Sequence, residues 1–373
     1  MANVREFAEM QKDFYHTYPP AANTLKIHVF TVYFDRKRVV KSINFRPCMQ
    51  DQFRTIITPA KASFSITHKD RIISIGSCFS ENIGRYFLKN KFDIEINPFG
   101  QQYNPASIAN AIDKLLTPTP YKESELVLQD ELYHSFDHHG DFSKPTVAET
   151  LEGINTSLNK ESQKLTEASV LFLTFGTAHV FKRKETGKTV SNCHKIPGSQ
   201  FDFELMTPEE IVEALSKSID TLFKRNPDLR IILTVSPVRY FAFGHFENSV
   251  SKGHLFAAIN ALIRKYPQAY YFPAYEIVMD DLRDYRFFAD DMLHPTAQAI
   301  EYVWEKVVAT LLPAETQVLL QELVEIENAV NHRPRNATSE AHRKFKERYL
   351  AKIKVLEEKF GFDFSEEKVR FSV

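Results

Sequence analysis

From Arg71 onward the chain repeats one pattern, a short apolar run followed by a longer segment with helical spacing. The runs 71–75, 93–96, 170–175, 230–235 and 269–272 are rich in Ile, Val, Leu and Phe and too short for helices, which suits strands covered on both faces. Helices are expected over 81–89, 105–116, 146–164, 208–225 and 251–266. Thr207-Pro208-Glu209-Glu210 opens one of them, with Thr207 at the N-cap, Pro208 at the first helical position and two acids in the first turn. Such alternation specifies a three-layer α/β/α doubly wound parallel sheet, whose functional groups gather at the carboxyl ends of the strands. Gly76, Gly176 and Ser236-Pro237 stand at such ends.

The first of these ends reads Gly76-Ser77-Cys78-Phe79-Ser80, between the run Ile72-Ile73-Ser74-Ile75 and a helical Glu81 to Leu88. A nucleophile on a tight strand-to-helix turn is favoured there because helix amides and the dipole stabilise a thiolate or a developing oxyanion. Near the end of the α/β portion lies Asp290-Asp291-Met292-Leu293-His294-Pro295-Thr296. An Asp three residues ahead of a His brings its carboxylate to the imidazole N–H, fixes the tautomer and stabilises the imidazolium. Alone this spacing is common; beside a nucleophile turn it gains weight.

Composition narrows the classes of function. Lys and Arg number 47 against 48 acidic residues, so a net charge of -1 gives no long-range attraction to nucleic acid or an anionic membrane. The 31 Phe and 15 Tyr then indicate an aromatic-rich core or pocket rather than a base-stacking surface. Cys48, Cys78 and Cys193 are odd in number and widely spaced, without a CxxC pair, which argues against a disulfide framework or a zinc site and for a reducing compartment. No signal-like h-region or span-length apolar window is present, so a cytoplasmic location is expected. No phosphate-cradling Gly-rich loop or metal ligand set appears, so no cofactor is expected.

Three segments are expected. Residues 1–52 form an N-terminal extension whose first 48 residues carry eight Lys and Arg against four acids and follow no long apolar period. Stretches 29–34 and 39–43 read as a strand pair, and Met49 is a candidate for the true start. Residues 53–313 form the α/β domain. Residues 314–373 form a helical hairpin, broken at 332–336 and densely charged, as a solvated face usually is; oligomerisation through it is the minority reading.

The motifs taken together resemble the GSCFA-domain family. They are Gly76-Ser77-Cys78-Phe79-Ser80-Glu81-Asn82-Ile83-Gly84, Asn97-Pro98-Phe99-Gly100 with Tyr103-Asn104-Pro105, Phe175-Gly176-Thr177-Ala178, Asn192-Cys193-His194-Lys195, Ser236-Pro237-Val238-Arg239 and the Asp291/His294 stretch, in order from about residue 53 to 312. That family is grouped with the SGNH, or GDSL-like, hydrolases and acyltransferases. The resemblance lays Ser77 on the Asp of the Gly-Asp-Ser block and Cys78 on its nucleophilic Ser, with a lowered thiol pKa expected beside His294 at a helix N-terminus. The structural alternative makes Cys78 a small packing residue and Ser77 the exposed hydroxyl and nucleophile.

The second-block Gly corresponds to Gly100, whose amide would donate to an oxyanion unless it only supplies positive φ to a turn. The third block, normally Gly-x-Asn-Asp, reads Gly176-Thr177-Ala178-His179 and lacks the Asn donor. Thr177, His179, Asn104, Asn192 and His194 are candidate substitutes. Losing one oxyanion donor costs on the order of 3 kcal/mol in transition-state stabilisation. Arg239 would act as an anion clamp, or else pair with a local acid such as Glu247, and Ser249 or Ser251 would cap the following helix.

The resemblance implies an esterase or O-acyltransferase acting on a small-molecule or carbohydrate acyl ester through an acyl-enzyme on Cys78, with His294 as base and acid and Asp291 as its orienter. The alternative is a catalytically degenerate binding module for an acylated or carbohydrate ligand. A third reading is an interaction scaffold using the C-terminal helices.

Overall fold

The computed structural model describes residues 54–372; the strand pair at 29–34 and 39–43, Cys48 and the Met49 start lie outside the described residues. Five parallel strands, β1 (Arg71–Gly76), β2 (Asp93–Ile96), β5 (Val170–Phe175), β9 (Arg230–Val235) and β10 (Ala269–Tyr271), lie in the order β2-β1-β5-β9-β10. The chain leaves β1 to form β2 on one side, then crosses over to form β5 on the other. The carboxyl ends of β1 and β5 therefore flank the topological switch point, where a doubly wound sheet opens a crevice.

Side-chain alternation builds the layers. Ile73, Ile75, Leu171, Leu173, Phe175, Ile231 and Leu233 face α2 (Pro105–Leu116), α3 (Val147–Glu167), α4 (Pro208–Arg225) and α5 (His245–Lys265). Ile72, Val170, Phe172 and Ile232 face α1 (Cys78–Lys89) and α6 (Ala297–Leu311). All six residues of β5 are buried, which is why its sequence shows a continuous apolar run without alternation. The Phe load is spent partly here: Phe87 meets Trp304 edge-on at 4.8 Å and Phe92 at 5.1 Å.

Helix starts follow their caps. Ser77, Asn104, Thr146, Thr207 and Thr296 each accept a first-turn amide, and Thr207 and Glu210 form a reciprocal capping box; such caps contribute about 1 kcal/mol each. The expected bounds of β2, β5, β9, α2 and α4 are met in full. Helix α5 departs from expectation: it starts at His245, six residues before 251, with Gly244 at the N-cap rather than Ser249 or Ser251.

Two antiparallel elements decorate the crossovers. A hairpin of β3 (Leu126–Gln129) and β4 (Leu132–Ser135) turns at Asp130 and Glu131, both with positive φ, as a two-residue hairpin turn requires. A three-stranded sheet of β6 (His179–Arg183), β7 (Thr189–Val190) and β8 (Phe201–Leu205), ordered β7-β6-β8, grows from the carboxyl end of β5. After the sandwich come α7 (Ala314–Asn331), α8 (Glu340–Phe360) and α9 (Ser365–Ser372), which share a separate apolar cluster of Leu319, Leu323, Ile326, Ile353, Leu356 and Phe364. The expected hairpin is thus present and carries one further helix. Among the described residues, no helix is long and apolar enough to cross a membrane.

Candidate functional site

The carboxyl ends of β1, β5 and β9 open into a cavity of about 600 Å³. Gly76 closes the end of β1 against β5: a Cβ there would meet the Thr174 carbonyl oxygen at 2.4 Å, so only glycine lets the two strands approach. The chain then turns into α1 with Ser77 as N-cap. Ser77 is buried, and its Oγ accepts the Phe79 amide at 3.3 Å. Cys78 is the first helical residue, half-buried, and lines the cavity. As the first residue of the helix, its amide has no acceptor within the helix and is free to donate. Ser77 and Cys78 both line the cavity, and of the two the thiol is the more exposed, not the hydroxyl. The expected lowering of the thiol pKa is also corrected. Burial pushes the Cys78 thiol up, against the opposing pull of the Phe79 and Cys78 amides and of the Lys252 charge.

His294 lines the same cavity from the loop before α6. Asp291 shapes that loop: its Oδ1 accepts the amides of Leu293 and His294, each at 2.9 Å, and its Oδ2 meets His294 Nδ1 at 2.6 Å. Met292 between them takes positive φ, and the Ala289 amide closes the loop on the His294 carbonyl at 2.7 Å. With Nδ1–H held by the carboxylate, Nε2 is the basic nitrogen of the ring. These contacts, the His294 amide first and its ring second, hold the Asp291 carboxyl down to about 2. The imidazole and carboxylate are both exposed.

The oxyanion candidates divide. Gly100 does not line the cavity, and its amide donates to the Asn97 carbonyl at 2.7 Å; with φ +74° it serves the turn, as the alternative had it. Gly176 and Thr177 line the cavity, but both amides donate to the Tyr103 carbonyl, at 2.8 and 2.9 Å. The Thr177 hydroxyl is also engaged, with Ser251 Oγ at 3.0 Å and the His179 amide at 3.1 Å. His194 is excluded, being buried away from the cavity with Nε2 on the Ser135 carbonyl at 2.8 Å and its ring stacked on His134 at 4.3 Å. Burial pushes its imidazole down to about 4. Asn192 lines the cavity, with its Oδ1 holding the His194 amide at 2.9 Å.

Asn104 also lines the cavity. Its Oδ1 caps α2 by accepting the Ser107 amide at 2.8 Å, which fixes the side chain at the cavity wall and leaves Nδ2 as a donor. Arg239 lines the cavity without an ion pair among the described residues; its Nη2 lies 3.3 Å from Met279 Sδ, and the expected pairing with Glu247 does not occur.

The buried Lys252 was missed by the motifs. Its ammonium donates to the carbonyls of Gly176 at 2.7 Å, Ser236 at 2.7 Å and Val238 at 2.9 Å, tying the ends of β5 and β9 together beneath the cavity. The signal for it was helical spacing, because Asn248, Ser251, Lys252, Leu255, Ile259 and Leu262 form the buried stripe of α5. The insert sheet adds Phe181, Val190 and Cys193 as an apolar wall, together with His179, which stacks on Phe203 at 4.9 Å. Among the described residues no group of three His, Cys, Asp or Glu gathers to hold a metal.

Two solved structures share a distant likeness: a mutant acetyl esterase with an acetate ion and a family 3 carbohydrate esterase from Talaromyces cellulolyticus. They are 9% and 8% identical, cover 69% and 68% of this chain and 99% of each of those chains, and reach TM-scores of 0.31 and 0.30, too low to argue from. No curated protein matches the sequence at a significant level. The GSCFA family model matches residues 71–307 and the model of the GSCFA domain protein C-terminal domain matches residues 324–372, so the chain belongs to the GSCFA family.

Proposed function

We propose that the protein is an SGNH-like acyl-transfer enzyme, an esterase or O-acyltransferase acting on the ester of a small molecule or carbohydrate. The observation that carries this reading is one cavity lined by both a helix-terminal thiol, Cys78, and an imidazole whose Nδ1 is held by a carboxylate. His294 Nε2 takes the thiol proton as Cys78 Sγ attacks the acyl carbonyl. The tetrahedral oxyanion is met by the Cys78 amide and Asn104 Nδ2. Collapse expels the alcohol, which takes the proton from the imidazolium, and leaves a thioester; water or an acceptor hydroxyl then repeats the cycle in reverse. A thiol kept neutral by burial suits a base that removes its proton during attack. The thioester is more activated than an oxygen ester, which favours transfer over hydrolysis.

The second reading, a degenerate binding module, is favoured by the third-block amides of Gly176 and Thr177 being already spent. Intact mass after incubation with a chromogenic short-chain ester separates the two. An acyl adduct on Cys78, absent in His294→Ala and Cys78→Ala, supports the enzyme. No adduct and no turnover across several esters would leave the binding module, and an adduct on Ser77 would move the nucleophile one residue back.

A further inference from the structure

Among the described residues, none of the twenty that line the cavity is Asp or Glu. Arg239, exposed on its wall, has no carboxylate within ion-pair distance among the described residues and rests against Met279 Sδ and the Phe241 ring, 6.0 Å to the centroid. Directly beneath the floor, the Lys252 ammonium is fixed on the carbonyls of Gly176 and Ser236, both of which line the cavity. The first turns of α1 and α2 open on it through Cys78 and Asn104. Of the carboxylates just outside it, Glu81 is paired with Arg85 Nη2 at 2.5 Å, Asp141 meets His139 Nδ1 at 3.1 Å, Glu247 acts on His179, and Asp291 keeps its charge under His294, so Arg239 is the permanent positive group on the lining itself. An Arg guanidinium with no carboxylate partner among the described residues, on the wall of a concave site, favours a negative ligand group and gives a neutral ester nothing.

We propose that the substrate of this cavity is anionic, carrying a carboxylate or phosphate group that seats on the Arg239 guanidinium while its acyl carbonyl lies at Cys78. The planar fork of Arg239 offers either group two parallel N–H donors. This deepens the acyl-transfer reading and rests on it for the placing of the carbonyl.

The test needs no turnover. The full chain is alkylated with iodoacetate and, separately, with neutral iodoacetamide, and the modification of Cys78 is timed by peptide mass. In each case sulfur displaces iodide and the thiol proton goes to solvent. The iodoacetate-to-iodoacetamide rate ratio at Cys78 is expected to be about fivefold higher in the wild type than in Arg239→Gln, and to fall as salt is added. Inorganic phosphate or succinate should slow the alkylation in the wild type and not in Arg239→Gln, the stronger protector naming the group. Equal ratios in the two proteins, or a Cys78 that resists both reagents, would overturn the proposal. Absence of ester turnover would sink the acyl-transfer reading alone, since the ratio still reports the anion site.

Discussion

Burial raises the Cys78 thiol above its ordinary value, and the amides of Phe79 and Cys78 with the Lys252 charge oppose this without cancelling it. Little thiolate is therefore present at neutral pH, and alkylation of Cys78 by iodoacetamide should keep accelerating as pH rises through 9. A plateau below pH 8 would show a preformed thiolate instead. Asp291 behaves oppositely. Its carboxyl, held down to about 2, stays ionised across the working range. A depressed acid adds stability that is present above its ordinary pKa and lost only as pH falls toward 2, so the His294 loop should stay ordered in mild acid. The acid limb of any rate profile then belongs to another group. Asp291→Asn frees the imidazole tautomer and should lower kcat/KM for an ester by on the order of 100-fold with little change in KM. Residue types and order in these motifs were legible in the sequence. The relative exposure of Ser77 and Cys78 was not, because it depends on which side chain turns back to cap the helix.

At the level of elements, α5 shows why part of the site was hidden. Its buried stripe includes Lys252, a residue type that sequence patterning assigns to a solvated face, and its start lacks a side-chain cap. A loop was therefore expected where the helix already runs. Burial pushes the Lys252 ammonium from its ordinary 10.5 to about 7, although all three of its hydrogens are donated to carbonyls. The unfolded chain then holds more protons than the folded one between those two values, so stability should rise with pH from about 7 to 10. Lys252→Met keeps the length but leaves two buried carbonyls and a part-buried one without this donor, and should cost about 3 kcal/mol of unfolding free energy. Urea midpoints at pH 7 and pH 9.5 check both statements: the wild type should gain over this interval, and the variant should start lower and lose that gain. Strands β5 and β9 were legible because burial on both faces leaves a continuous apolar run. The β6–β8 insert was missed because its strands are short and partly exposed, and their apolar residues gain meaning only by walling the cavity.

Over the whole molecule, the C-terminal helices are joined to the sandwich more closely than a solvated appendage would be. Gln317 on α7 donates to the carbonyls of Val308 and Leu312 at 3.3 and 2.8 Å, and Leu320 enters the core beneath α6. From the other end, Lys91 pairs with Glu367 at 2.6 Å. Helix α7 thus has two apolar faces, one on the sandwich and one, through Leu319, Leu323 and Ile326, under α8 and α9. Where the chain is cut should decide the outcome. A chain ending at His332 keeps α7 and uncovers that second face, roughly 1.5–3 kcal/mol of lost burial for each large side chain, and should self-associate in size-exclusion chromatography. A chain ending at Pro313 removes the face with its cover and loses mainly Leu320 and the Gln317 contacts. It should run as a smaller, less stable species whose Cys78 alkylates at the rate of the full chain. If the shorter chain lost that reactivity while remaining folded by circular dichroism, the C-terminal helices would have to act on the cavity itself. If the His332 chain stayed monomeric, the cluster between α7 and α8 would be dispensable to the surface of the sandwich.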